Sequence, residues 1–330
     1  MARPVPQIIS LVAVLLGTAL FAATLLFIDR EETLETLARL GLALPLVLAP
    51  SVCWHLFRTL GWYLSFPTTG RPGFWRVFRV RLAADAVAYF TIRGVASEPL
   101  RVVLLLDRVP ATVSAAATVL ERTMMGILSA VLVGACAAVA MHSDLLPDGW
   151  QRVFRGIAIA AVVLLALSLL LVLRSGRYLG PLFERVHRHT GWRWASGRAV
   201  RFVSEVEAIV LHLVRADWRR LRLLTLLAVA CFGLMALEVW LVFWAIGQSI
   251  SLWASAIIET FTRSASIFGG AIPANLGALE AANVMVVKAL GLSGAGSLAL
   301  ARRVRSLIWA GLGLALYPRD TWRAPKEQHP

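Results

Sequence analysis

Ile8 to Ile28 is a run of 21 residues without one charged side chain. At about 1.5 Å per residue it crosses about the 30 Å of a bilayer's hydrocarbon core as a single helix. Lipid offers no partner for free amides and carbonyls, so a segment of this kind restricts the chain to helices or a closed barrel. Further apolar stretches follow at Leu40 to Phe57, Thr112 to Met141, Gly156 to Leu173, Leu223 to Ile246, Leu252 to Phe268 and Gly296 to Tyr317. They predict an all-α integral membrane protein with about seven transmembrane helices in one multi-pass domain over residues 1–330. Composition agrees. Of the 330 residues, 58% are hydrophobic and 16% charged, against about 45 to 50% and about 25% in soluble domains. The low charge argues against disorder, and three cysteines are too few for a disulfide scaffold. Cys53, Cys136 and Cys231 lie in apolar runs and are expected to be small buried hydrophobes. Only Arg3 precedes the first run and no clean cleavage site follows it, which favours a retained helix over a removed signal peptide.

The formal charge is +14, from 33 basic and 19 acidic residues, and every basic residue except Lys288 and Lys326 is arginine. Such clusters can mark nucleic-acid binding, and a base-composition bias can also produce them. On so apolar a chain they mark loops facing anionic lipid, and no nucleic-acid partner is expected. Residues 58–81 hold five arginines and no acid, and 174–222 hold eleven arginines against four acids, so both are placed inside as cytoplasmic loops. Residues 29–39 have two arginines against four acids and 142–155 have two against two, which suits the outside. Both termini then fall inside. Trp240, Trp244 and Trp253 suit an interfacial belt.

Two stretches fit poorly as spans. Residues 82–108 contain Asp85, Arg93, Glu98 and Arg101, interrupted by Gly94 and Pro99. Residues 269–292 contain Gly270, Pro273 and Gly277, then Glu280, Asn283 and Lys288. Broken backbone at membrane depth survives only inside protein or along a wet cavity. Two opposed re-entrant hairpins are therefore expected, the second including its descending arm over 252–292. In each, a glycine precedes a glutamate, an apolar helix follows, and an arginine site opens the next helix. Glu98 and Arg122 are 24 positions apart, Glu280 and Arg303 are 23. Opposite entry with matching internal order looks like an inverted repeat, which in transporters places the substrate site near the midplane.

Charged groups at depth cost about 2.5 to 3.5 kcal/mol each on insertion scales, so they require compensation. Glu259 and Arg263, four apart, suit a structural ion pair. Ser97-Glu98-Pro99 reads as a helix start, with serine to cap and glutamate at the positive end. Arg101 then either closes a local salt bridge or presents a guanidinium fork to a phosphate. Glu121 and Arg122 open a span where snorkelling is easy. Arg302, Arg303 and Arg305 share a helix and need Glu280 or a ligand as partner, while Glu238 has no assigned role. Phosphate-loop, dinucleotide, zinc-protease and Cys-x-x-Cys motifs do not occur in the chain, so no cofactor and no metal are expected. His187 and His189 are placed at a solvated surface. The 174–222 stretch is too short for a catalytic domain, and Phe202, Val206, Ile209, Val210 and Leu213 suggest an amphipathic helix lying on the bilayer.

The segments Arg93-Gly94-Val95-Ala96-Ser97-Glu98-Pro99-Leu100-Arg101, Val119-Leu120-Glu121-Arg122, Pro273-Ala274-Asn275-Leu276-Gly277-Ala278-Leu279-Glu280 and Ala301-Arg302-Arg303 resemble the flippase-like membrane region of the lysylphosphatidylglycerol synthase family. Ser97 and Arg93 depart from the glycine and proline usual there. The resemblance implies a multi-pass helical protein of a bacterial cytoplasmic membrane, with membrane lipids as its partners. It also implies lipid translocation without aminoacylation, which belongs to a soluble domain not found in these residues. Arg101, Arg122, Arg302 and Arg303 are then expected to hold the head group of an anionic phospholipid. Glu98, Glu121, Glu280 and Asn275 would orient them or balance their charge. A lipid-modifying transferase or its accessory subunit, and a non-catalytic scaffold, remain the alternatives.

Overall fold

The computed structural model describes residues 30–89, 97–173, 197–268 and 278–318. Among these, ten helices and no strand form: α1 Arg30–Leu64, α2 Phe74–Tyr89, α3 Ser97–Val103, α4 Ala111–Ala140, α5 Asp148–Leu173, α6 Gly197–Ala216, α7 Trp218–Ala245, α8 Leu252–Phe268, α9 Ala278–Ala289 and α10 Ala295–Ala315. Four have the length and apolar composition to cross a membrane: Leu40–Leu64 within α1, α4, Gly149–Leu167 within α5, and α7. Their outward faces carry Leu42, Val162, Leu164 and Leu226, each more than half exposed. Apolar surface of this extent needs lipid or a partner to cover it.

Two of the other expected spans have a different character. The helix Leu252–Phe268 has only 17 residues and holds Glu259 and Arg263, while α10 holds three arginines. Their polar residues point inward, so apolar stretches that look like spans include the lining of the bundle's interior. The first run, Ile8 to Ile28, lies outside the described residues, as do Gly94, Gly270, Pro273 and Gly277. Pro99 sits in the first turn of α3, where its missing N–H costs nothing.

Helix boundaries correct the loop assignments. The stretch 30–39 is helical and belongs to α1, and α1 continues past Phe57 to Leu64. The arginine-rich stretch 58–81 is therefore mostly helix, with Arg58 in α1, Arg76, Arg79 and Arg81 in α2, and only Arg71 in the connection. Within 174–222, residues 197–216 form α6 and 218–222 open α7, where the Asp217 side chain caps by accepting from the Arg220 backbone N–H at 3.0 Å. Cys53 is exposed, contrary to its apolar surroundings in sequence, because it faces outward on α1; Cys231 is buried.

The helices fall into two halves of four, α1–α4 and α7–α10, with α5 and α6 between. Within each half the order of neighbours is the same: first helix on second, second on third, third on fourth. Between halves, α1 lies along α7, and the contact of α2 with α10 is matched by that of α8 with α4. The first helices of the two halves, α1 and α7, run antiparallel. Gly61, near the end of α1, meets Leu224 near the start of α7, while Leu40 and Val47 pack in one cluster with Val239, Val242 and Phe243 at the other end of α7. In the α2–α10 pair, Gly313 lies so close to α2 that a Cβ there would collide with the Leu82 carbonyl oxygen and with Ala86.

Candidate functional site

Between the two halves lies a cavity of about 800 Å³, lined by residues from α1, α2, α3, α4, α7, α8, α9 and α10. Among the described residues its wall holds seven arginines (58, 81, 122, 263, 302, 303 and 305) and four carboxylates, Asp85, Glu98, Glu259 and Glu280. Buried charges survive where opposite charge and hydrogen bonds replace water, and each half solves this with its own cluster.

In the first half the centre is Glu121 on α4, fully buried. Its Oε1 lies 2.9 Å from Arg58 Nη2 and accepts from Arg81 at 3.4 Å, and Oε2 lies 3.5 Å from Arg101 Nη1. Arg101 Nη2 donates to Asp85 at 2.8 Å, and the guanidinium stands 5.0 Å from the centroid of the Trp62 ring. Arg81 and Asp85 are one helical turn apart on α2, 3.4 Å between charged atoms. Arg122 Nε is 3.0 Å from Glu98 Oε1, and the Ser97 hydroxyl donates to the other Glu98 oxygen at 2.6 Å.

In the second half the centre is Arg302 on α10. Its Nη2 donates to Glu259 Oε2 at 2.7 Å, and its Nη1 donates to Thr262 Oγ1 at 2.8 Å and to Asn283 Oδ1 at 3.1 Å. Glu259 also accepts from Arg263, one turn along α8, at 2.8 Å. Arg303 pairs with Glu280 and donates to the Tyr89 hydroxyl at 2.8 Å across the interface of halves. Arg263 makes the matching crossing to Ser129 on α4 at 3.1 Å. Arg305 pairs with Glu238.

The sequence-derived site residues therefore divide. Glu98, Arg122, Glu280, Arg302 and Arg303 share one cavity. Arg101 and Glu121 stand behind its wall, both fully buried. Arg101 consequently meets Asp85 and Glu121 in place of the expected ligand, and Glu98 pairs with Arg122 and not with Arg101. Asn275 lies outside the described residues. Other contributors had no expected site role: Arg58 and Arg81, assigned to a loop, Asp85, Glu238, Thr262 and Asn283. The four-residue spacing of Arg81 and Asp85, the same as that of Glu259 and Arg263, was the available signal. His55 and Trp309 add an aromatic patch to the wall, their ring centroids 4.0 Å apart. No group of three or more His, Cys, Asp or Glu able to hold a metal occurs among the described residues.

The lysylphosphatidylglycerol synthase TM region matches residues 10–315. This chain belongs to that family. Neither a curated protein nor a solved structure matches it. The match covers all ten helices found among the described residues of this family protein, so both halves of the cavity fall within it.

Proposed function

We propose that the protein translocates an anionic phospholipid between leaflets of a bacterial cytoplasmic membrane, its head group passing through the central cavity while the acyl chains stay in lipid. One observation carries this reading: seven arginines outnumber four carboxylates around a cavity enclosed by a bundle with long apolar outer faces. Guanidinium groups recognise phosphate bidentately, and in a low-dielectric interior that recognition is stronger than in water. Arg122, Arg302 and Arg303 line the wall and meet the head group. Glu98 and Glu280 orient two of them, and Arg101 holds Asp85 in place from behind.

Topology supports passage over covalent chemistry. The end of α1 with Arg58, the start of α2 with Arg76 and Arg79, and the start of α7 with Arg219, Arg220 and Arg222 lie on one side, because Gly61 meets Leu224. The positive-inside rule makes that side cytoplasmic. Helix α7 then rises as α1 descends, and the two halves form an inverted repeat. Rocking of one half against the other around a fixed site is how such repeats give alternating access. Proteoliposomes carrying an acyl-chain-labelled phosphatidylglycerol test the reading through loss of label to a membrane-impermeant quencher. Faster exchange of this lipid than in protein-free vesicles, with phosphatidylcholine exchanging more slowly, is expected. Exchange no faster than in protein-free vesicles would overturn it.

A further inference from the structure

Asn283 on α9 lies three residues after Glu280, the place that Arg101 holds after Glu98 in the first half. Both reach the charged centre of their half, Arg101 at Glu121 and Asn283 at Arg302. They differ in what they leave over. Arg101 spends its outer nitrogen on Asp85 and stands behind the wall. Asn283 forms part of the wall, is fully buried, and its Nδ2 has no acceptor among the described residues.

The orientation of this amide is settled by chemistry. Arginine has only donors, so the atom facing Arg302 must be the carbonyl Oδ1, and the NH2 group must point elsewhere. A buried amide donor without a partner is costly, and native structures rarely keep one without a reason. Thr262, beside Asn283 on Arg302, accepts from Arg302 and donates within its own helix to the Ile258 carbonyl at 2.8 Å, and no hydrogen bond runs to it from Asn283 Nδ2.

We infer that Asn283 Nδ2 is a ligand contact that donates a hydrogen bond to a phosphate oxygen of the bound head group, held beside the guanidinium of Arg302. The inference rests on the proposed lipid site and adds to it an asymmetry: the second half supplies a neutral, directional donor where the first half supplies a committed charge. Phosphate is the fitting acceptor because the neighbouring cations neutralise it and its several oxygens accept from an amide and guanidinium groups together. A phospholipid and a free phosphate ester share this chemistry.

The substitution Asn283→Asp separates the two roles of the residue. Aspartate still offers an oxygen to Arg302, so a purely structural role survives, but it has no donor and brings a negative charge against the phosphate. The full chain in detergent is titrated with a short-chain phosphatidylglycerol and, separately, with glycerol 3-phosphate, following intrinsic tryptophan fluorescence and thermal stability. Wild type is expected to bind the phospholipid, and Asn283→Asp to bind it at least about tenfold more weakly, the loss expected of one hydrogen bond to a charged group, with unloaded stability retained. Binding of glycerol 3-phosphate with the same dependence on Asn283 identifies the phosphate ester itself as the ligand; binding of the phospholipid alone shows that the acyl chains are required. Equal binding by wild type and Asn283→Asp overturns the inference and leaves the lipid site standing. Absence of binding by wild type to both probes overturns the inference together with that site.

Discussion

Glu121 on α4 and Arg302 on α10 hold the same place in the two halves with opposite charge. Each is buried at the centre of its half and immediately precedes an arginine, Arg122 or Arg303, that pairs with the glutamate opening the preceding short helix. Around Glu121 gather Arg58, Arg81 and Arg101; around Arg302 gather Glu259, Thr262 and Asn283. The same backbone plan thus carries an anion-centred cluster in one half and a cation-centred cluster in the other, and the wall between them keeps an excess of arginine.

Removing the anion from the first cluster leaves three guanidinium groups facing one another without their shared partner. Glu121→Gln is expected to destabilise the fold by on the order of 3 kcal/mol, the scale of breaking a buried pair, and to lower the thermal midpoint in detergent. Asp107→Asn, which removes a partly exposed partner of Arg76, should cost under about 1 kcal/mol. Equal midpoints for the two variants would show that Glu121 does not organise its half.

Close approach of α2 and α10 depends on the missing side chain at Gly313. Gly313→Leu forces the two helices apart, since the new atoms meet the Leu82 carbonyl and Ala86, at a cost of about 1 to 3 kcal/mol. The expected readout is a lower thermal midpoint; Gly311→Leu, at an exposed position on the same helix with open space around it, should change it little.

Antiparallel packing of α1 and α7 puts the α1–α2 and α7–α8 connections at opposite ends of this helix pair, and so on opposite faces of the membrane in the proposed arrangement. With Cys53, Cys136 and Cys231 replaced by serine, Thr69→Cys and Ser249→Cys occupy exposed positions in these connections. Impermeant maleimide added to intact cells should label Ser249→Cys and spare Thr69→Cys until the membrane is opened. Labelling of both from one side would refute the inverted arrangement.

Much of this architecture was legible in the sequence, for identifiable reasons. Lipid leaves long apolar helices as the only economical fold, so α4 and α7 announce themselves by length. The recurrence of glutamate and arginine 23 or 24 positions apart shows up as two ion pairs in one cavity. Less was legible where a helix faces the interior. Charge at Arg58 and Arg81 reads as loop in a linear count, yet both groups are partnered by Glu121, 63 and 40 positions away. Arg101 reads as a ligand residue because its acceptor, Asp85, lies on another helix. Pairings of this kind belong to tertiary structure, and local spacing does not contain them.

The central claim is that head groups cross through the arginine-lined cavity, and Arg122 tests it most directly, because its side chain is 38% exposed and its main partner, Glu98, is also open to the cavity. Labelled phosphatidylglycerol exchange is measured in proteoliposomes containing wild type or Arg122→Gln at matched protein density and matched thermal stability. The account predicts that Arg122→Gln slows exchange at least about tenfold, the loss of one charge-assisted phosphate contact. Exchange at the wild-type rate would contradict it.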